Sequence, residues 1–261
     1  MNNPEIAVEF DSVSFAYGDL PVLEKASFHI HRGEFAALLG PNGSGKTTML
    51  KLILGLEQPT GGSIKLFGAE RSNNAVCRIG YVPQQQHIDQ AFPITVRDVV
   101  RMGLLYPSRG YSAASAARAA GAKDKNAVDE AMKQADIADL AERSWRALSG
   151  GQRRRAMVAR ALASRPELLI LDEPSANLDS ESETRLFKTL KKLKGIATIL
   201  IVTHDMDFVS VLTDRVLCLG NTSMEGGQGI VQHRIEAATE GSSRLRVLHG
   251  ETISGNDCCE H

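Results

Sequence analysis

The sequence predicts an α/β fold built around a phosphate-binding loop, and two observations carry that reading. Gly40-Pro41-Asn42-Gly43-Ser44-Gly45-Lys46-Thr47-Thr48 lies between an apolar run, Phe35-Ala36-Ala37-Leu38-Leu39, that reads as a buried strand, and Met49-Leu50-Lys51-Leu52-Ile53-Leu54, which reads as a helix. Later in the chain, short apolar runs alternate with helical periodicity, the pattern of a sheet with crossovers.

The loop has the residue types that phosphate requires. Its glycines let backbone N–H groups turn inward around phosphate oxygens, and the helix N-terminus adds partial positive charge. Lys46 is placed to reach terminal phosphates, and the Thr47 hydroxyl to ligate Mg²⁺.

Composition bounds the rest. The 261 residues suffice for one large domain or a domain with a smaller subdomain, and 43% hydrophobic with 23% charged residues is ordinary for a globular protein. With 30 Lys plus Arg against 31 Asp plus Glu, no global basic field points to nucleic acid or an anionic membrane. The longest apolar run, residues 195–202, falls far short of the ~20 residues of a spanning helix. The first residues have neither a basic n-region nor an apolar h-region, so no secretory signal is expected. Cys77 and Cys218 sit in apolar surroundings and read as reduced core residues, whereas Cys258 and Cys259 lie in a polar tail. No disulfide framework is expected, which points to the cytosol.

Taken in order, residues 6–10 and 12–17 read as strands, with a turn at Gly18-Asp19, and residues 26–30 as another. Together with the strand before the loop they predict a mixed N-terminal sheet. Residues 63–67 and 78–82 supply further strands after the break at Gln58-Pro59-Thr60-Gly61-Gly62. From Gln84 to about Arg165 the pattern turns helical: residues 95–105 and 127–137 are amphipathic, and residues 112–122 form an alanine tract that suits either a close-packed or a solvent-facing helix. Residues 168–171 read as a buried parallel strand. Residues 181–194 follow as a helix, 197–202 as a strand, 206–212 as a short helix and 215–219 as a strand.

Leu168-Leu169-Ile170-Leu171-Asp172-Glu173 brings two carboxylates to the C-terminal end of a strand, where open α/β sheets bind ligands. Asp172 is placed to hold a Mg²⁺ bridging the β- and γ-phosphates, and Glu173 to orient or deprotonate an attacking water. Taken alone, Asp-Glu-Pro would be a polar strand end; beside a phosphate loop the catalytic reading is preferred.

With Leu148-Ser149-Gly150-Gly151-Gln152 and His204 added in this order, residues 5–220 resemble the ATP-binding cassette (ABC) ATPases. The resemblance implies a P-loop NTPase core of ABC type, with an antiparallel β subdomain and an inserted α-helical subdomain at about residues 85–165. It also implies a head-to-tail homodimer, in which Ser149, Gly150, Gly151 and Gln152 of one copy close over ATP held by the other. A serine hydroxyl, glycine N–H groups and a helix N-terminus suit that anion-binding task.

Other positions follow from the same resemblance. Tyr17 resembles the aromatic residue that stacks on adenine, the alternative being an ordinary strand-end tyrosine. Gln84 resembles the glutamine that senses the γ-phosphate and Mg²⁺, with Gln85 and Gln86 directly after it. Asp179 resembles the dimer-contacting loop, and His204 the histidine that bonds the γ-phosphate.

Without a membrane span, hydrolysis must be coupled to another chain, and the resemblance implies integral-membrane permease subunits and, indirectly, a solute-binding protein. Residues 78–84, 88–89 and 92–103 resemble the zinc, manganese and iron importer branch. The expected location is therefore peripheral, on the cytoplasmic face of the inner membrane, and no nucleic-acid partner is expected. The alternatives are a siderophore or cobalamin importer ATPase, or a soluble ABC ATPase acting as a switch. Residues 221–261 read as an extension, partly disordered, whose ending Asp257-Cys258-Cys259-Glu260-His261 suits either a loose tail or a metal-binding one.

Overall fold

The computed structural model describes residues 5–71, 78–84, 93–105, 121–204, 212–221, 228–236 and 246–247. Strands β1 (Ile6–Tyr17) and β2 (Leu20–His31) form a hairpin turned at Gly18, whose φ of 58° suits glycine. The sequence predicts a break within β1; the structure has one strand with an irregularity, its register shifting between Phe10 and Val13, where Ser12 has a φ of 50°. Strand β4 (Gly61–Leu66) passes so close to this bulge that a Cβ on Gly62 would lie 2.3 Å from the Ser12 carbonyl oxygen. With β5 (Ala69–Glu70), these strands make a four-stranded sheet in the order β2-β1-β4-β5, antiparallel throughout.

The N-terminal sheet is therefore not mixed. Strand β3 (Phe35–Leu39) leaves it because all five of its residues are buried and need cover on both faces. It enters a seven-stranded sheet with β6 (Ile79–Val82), β7 (Leu168–Asp172), β8 (Thr198–Thr203), β9 (Arg215–Asn221), β10 (Gln228–Glu236) and β11 (Arg246–Val247). The order is β11-β10-β9-β3-β8-β7-β6. From β9 to β6 all neighbours are parallel, and β10 and β11 add antiparallel pairings at the far edge.

The two-sided burial of the parallel strands divides the core. Leu168, Ile170, Leu200 and Val202 point to one face, where they pack with helix α1 (Lys46–Ile53) and with Val8, Phe10 and Phe28 of the antiparallel sheet. Leu169, Leu171, Ile199 and Ile201 alternate to the other face. There they meet residues of α2 (Val96–Arg101), α3 (Gly121–Gln134), α4 (Gly150–Ala163) and α5 (Ser180–Leu193).

Thr95 and Asp98 form a reciprocal capping box that starts α2. The periodicity over 95–105 resolves into α2 followed by a 3-10 turn over Met102–Leu104. This turn lies against α4 so closely that a Cβ on Gly103 would sit 1.9 Å from the Arg160 carbonyl oxygen, which requires glycine there. Arg97 pairs with Asp129 of α3 and, at 2.8 Å, with Glu142. Most of the alanine tract, all but the last residue of the predicted 206–212 helix, and the Cys258, Cys259 and His261 ending lie outside the described residues. No helix among the described residues is long and apolar enough to cross a membrane.

Candidate nucleotide-binding and hydrolysis site

The parallel register lines up the sequence-predicted residues. Leu39 pairs with Thr203, Val202 with Asp172, and Leu171 with Val82. Four adjacent strands therefore end at one edge, and each is followed by a predicted site residue: the glycine loop after β3, His204 after β8, Glu173 after β7 and Gln84 after β6. This is the edge at which open parallel sheets bind ligands.

The loop itself is tightly seated. Gly43 and Gly45 have φ of 82° and 91°, which L side chains rarely adopt. A Cβ on Gly40 would lie 2.6 Å from Ser44 Oγ and 2.7 Å from the Leu219 carbonyl oxygen. Lys46 begins α1, is buried, and donates from Nζ to the carbonyl oxygens of Gly40 at 2.6 Å and Pro41 at 3.0 Å. Burial holds its pKa below the ordinary lysine value, while Glu173 and Asp172 pull it back upward. Ser44 Oγ is buried without a hydrogen-bond partner, so the loop contains an unsatisfied polar group of the kind an anion's oxygens or hydration would satisfy. Thr47 is exposed in the first turn of α1, next to buried Thr48, while Pro41 and Asn42 are exposed at the tip.

The first residues of β2 abut this loop: a Cβ on Gly45 would lie 3.0 Å from Val22 Cγ1. Tyr17, 42% exposed, lies edge-on to Phe15 with ring centroids 4.8 Å apart. Its hydroxyl accepts from Lys51 Nζ of α1 at 3.2 Å. The half-exposed ring thus lies beside the helix that opens with Lys46, with Lys51 Nζ 5.5 Å from its centroid.

At the β7 corner, Asp172 and Glu173 are both buried. Burial raises the Asp172 pKa and Glu173 raises it further, against the lowering effects of the Tyr81 hydrogen bond, Arg154 and Lys46. The Tyr81 hydroxyl donates to Asp172 Oδ2 at 3.4 Å, and burial beside that carboxylate pushes its own pKa up to about 12. Glu173 takes a left-handed backbone φ of 46°, uncommon for a residue with a side chain. Its N–H donates to the Val202 carbonyl at 2.7 Å. Thr203 Oγ1 donates to its Oε2 at 3.2 Å, and His204 Nδ1 lies 3.0 Å from both carboxylate oxygens. A strained backbone and three side-chain and main-chain contacts thus fix one carboxylate.

Ser149 caps α4: its hydroxyl accepts from Gln152 N at 3.3 Å, and Gln152 Oε1 accepts from Ser149 N at 3.0 Å. Ser149 and Gly150 are exposed, while Gly151 is buried against α5. Asp179 caps α5, accepting from Ser182 N at 2.9 Å, and that hydrogen bond holds its carboxyl below the ordinary range. Within one chain the Ser149 segment and Asp179 form their own packed unit at the starts of α4 and α5. Gln84 is exposed at the end of β6.

Three groups in this site carried no sequence-based role: Thr203, Tyr81 and Arg154. The third is 6% exposed and spends its guanidinium on backbone carbonyls around Gln84 and Glu173. Its signal was present in the pattern of α4, since it falls on the helix stripe with Gly151 and Val158, all three buried.

Residues 23–176 match the ABC transporter family. The chain belongs to that family. It is 39% identical over 216 residues to the zinc uptake system ATP-binding protein ZurA of Listeria innocua, an alignment covering 81% of this chain and 82% of that one. Against the zinc import ATP-binding protein ZnuC of Photobacterium profundum it is 35% identical, over 81% of this chain and 74% of the relative. Among solved structures, cbiO1 from Clostridium perfringens, part of the ABC transporter complex cbiONQ, superposes with a TM-score of 0.71 at 29% identity, covering 87% of this chain and 88% of that one. The chain is accordingly an ATP-binding ATPase of the ABC type, and its two sheets and helical layer are the predicted cassette.

Proposed function

We propose that this ABC chain is the ATP-hydrolysing subunit that powers a membrane importer of a divalent metal ion: zinc, manganese or iron. The observation that carries the hydrolytic part is the fixed Glu173 carboxylate, held by Thr203 and His204 beside the Lys46 loop. The metal cargo is supported by the similarity to zinc-uptake subunits over most of the chain.

In this reading Gly40 to Thr48 wraps the phosphates with backbone N–H groups, Lys46 moves from its loop carbonyls to the terminal phosphates, and Tyr17 stacks on adenine. Glu173 orients the attacking water and draws its proton, while His204, anchored through Nδ1, contacts the terminal phosphate through Nε2. The donor set of Thr47, Gln84 and Asp172 fits Mg²⁺, all hard oxygen ligands, and Asp172 has a pKa that a cation would bring back down. When bound, Mg²⁺ would neutralise charge developing on the phosphate oxygens.

Ser149 and Gly150 are exposed at a helix N-terminus, and we assign the segment Ser149, Gly150, Gly151 and Gln152 to the ATP held by a second copy, with Asp179 at the seam. The homodimer would close on ATP and move the helical subdomains against permease subunits, placing the chain at the cytoplasmic face of the membrane. A solute-binding protein would deliver the ion from the other side.

Size-exclusion chromatography of Glu173→Gln tests the core of this reading. With Mg-ATP it should run as a dimer, and adding Ser149→Arg should abolish that dimer. Normal ATP hydrolysis by Glu173→Gln would remove the base assignment. The cargo is tested by comparing zinc, manganese and iron uptake in cells carrying the native chain or Lys46→Ala; unchanged uptake of all three would remove metal import.

A further inference from the structure

We infer that Arg154 is a positioning residue for hydrolysis, one that holds the Gln84 corner and the Glu173 corner in register with the helix led by Ser149. This rests on the ATPase reading above. Arg154 lies on α4, one turn beyond Gly150, and its side chain is 6% exposed. Its Nε donates to the Pro174 carbonyl at 3.0 Å. Nη1 donates to the carbonyls of Pro83 at 2.6 Å and Gln84 at 3.3 Å. Nη2 donates to the Asp172 carbonyl at 2.9 Å and to that of Glu173.

A guanidinium has five N–H donors in a rigid fork, and here five main-chain oxygens receive them. Two come from the end of β6, where Gln84 leaves the core, and three from the corner after β7 that bears Asp172 and Glu173. These corners lie far apart in the chain, Gln84 at one and Asp172 at the other, and a single side chain ties them together. The side chain belongs to neither: it arrives from the helix whose first turn holds Ser149 and Gly150.

Charge adds to geometry. A buried arginine would be costly unless compensated, and the neighbouring carboxylates of Asp172 and Glu173 supply that compensation. In return the guanidinium lowers the cost of burying Asp172. Neither backbone corner can therefore shift without breaking charge-assisted hydrogen bonds in a dry setting, and neither can α4 rotate alone. The left-handed backbone at Glu173 is one of the places such restraint is needed, since the Glu173 carbonyl is itself a partner.

The role is separable from simple stability because it acts on turnover. Arg154→Met, Arg154→Gln and Arg154→Lys would be compared in the full-length protein for kcat and KM of Mg-ATP, for binding of a fluorescent ATP analogue and for melting temperature, with Glu173→Gln as a control. Expected is a kcat lower by roughly tenfold to a hundredfold in Arg154→Met, with analogue affinity within about threefold of wild type. Arg154→Lys, which keeps the charge and part of the donor set, should recover more turnover than Arg154→Gln. Should Arg154→Met not fold, Arg154→Lys decides alone: a folded Arg154→Lys with wild-type kcat overturns the proposal. Equal loss of analogue affinity and kcat in the folded variants would overturn it too. If Glu173→Gln itself hydrolyses ATP at the wild-type rate, the assignment of Glu173 as the base fails, and the result is then read apart from Arg154.

Discussion

Gly151 of α4 and Ser182 of α5 meet so closely that a Cβ on Gly151 would lie 2.3 Å from Ser182 Oγ and 2.4 Å from its Cβ. The Ser182 hydroxyl in turn donates to Asp179 Oδ2 at 3.0 Å. Through this contact the Ser149 segment and the Asp179 corner form one block. Gly151→Ala should therefore cost about 1–3 kcal/mol of stability by overpacking and lower the melting temperature by several degrees. It should also weaken ATP-dependent dimerisation in the Glu173→Gln background. Adding Ser182→Gly removes the opposing Cβ and should restore part of the stability; strictly additive losses in that cycle would show that the contact is not the cause.

Thr203 is completely buried, and its hydroxyl donates to Glu173 Oε2. Thr203→Val keeps the shape and removes the donor, leaving His204 as the remaining side-chain partner of the Glu173 carboxylate. kcat should fall roughly three- to tenfold with nucleotide affinity unchanged. Steady-state kinetics beside equilibrium nucleotide binding would check this, and an unchanged kcat would mean that His204 alone suffices.

The buried Ser44 hydroxyl makes the opposite kind of prediction. It lies under Gly40 with no hydrogen-bond partner, a cost to the folded protein that bound phosphate would relieve. Ser44→Ala should leave the melting temperature of the nucleotide-free protein unchanged or higher, yet lower nucleotide affinity roughly three- to tenfold. Thermal denaturation with and without nucleotide separates the two effects. A drop in the nucleotide-free melting temperature would show that the hydroxyl is satisfied in solution.

What the sequence made legible follows from where the signals are local. The strand before Gly40 and the strand ending at Asp172 are continuous apolar runs, so their burial on both faces and the polar residues at their ends could be read directly. The bulge that keeps residues 6–17 in one strand could not, because it depends on Gly62 arriving from another strand. Arg154 stands in a run of three arginines, and charge alone suggests a solvated face. Helical periodicity would have distinguished it, since Arg154 and Arg155 fall on the buried side of α4 while Arg153 is only half-buried. The five carbonyls that receive Arg154 come from distant segments, and no local pattern encodes them.

His29 carries a pH prediction. It is 9% exposed, its Nε2 has no hydrogen-bond partner, and its ring meets His31 edge-on at 4.7 Å. Burial lowers its pKa first, with Arg215 and His31 adding to the effect and Glu34 and Glu9 opposing it. His31 is lowered as well, chiefly by burial, against the pull of Glu34. Both rings therefore stay neutral in the fold at pH values where the unfolded chain, with histidines near 6.5, takes up protons. The unfolded state then binds more protons, so stability falls as the pH drops from about 6.5 toward the folded pKa values and levels off below them. One such proton contributes a slope of at most about 1.4 kcal/mol per pH unit. Urea denaturation at pH 7.5 and 5.5 should show a lower midpoint at the acid pH for the wild type, and a smaller difference for His29→Leu, which removes one of the two titrations. An identical difference in the variant would assign the acid loss to other groups.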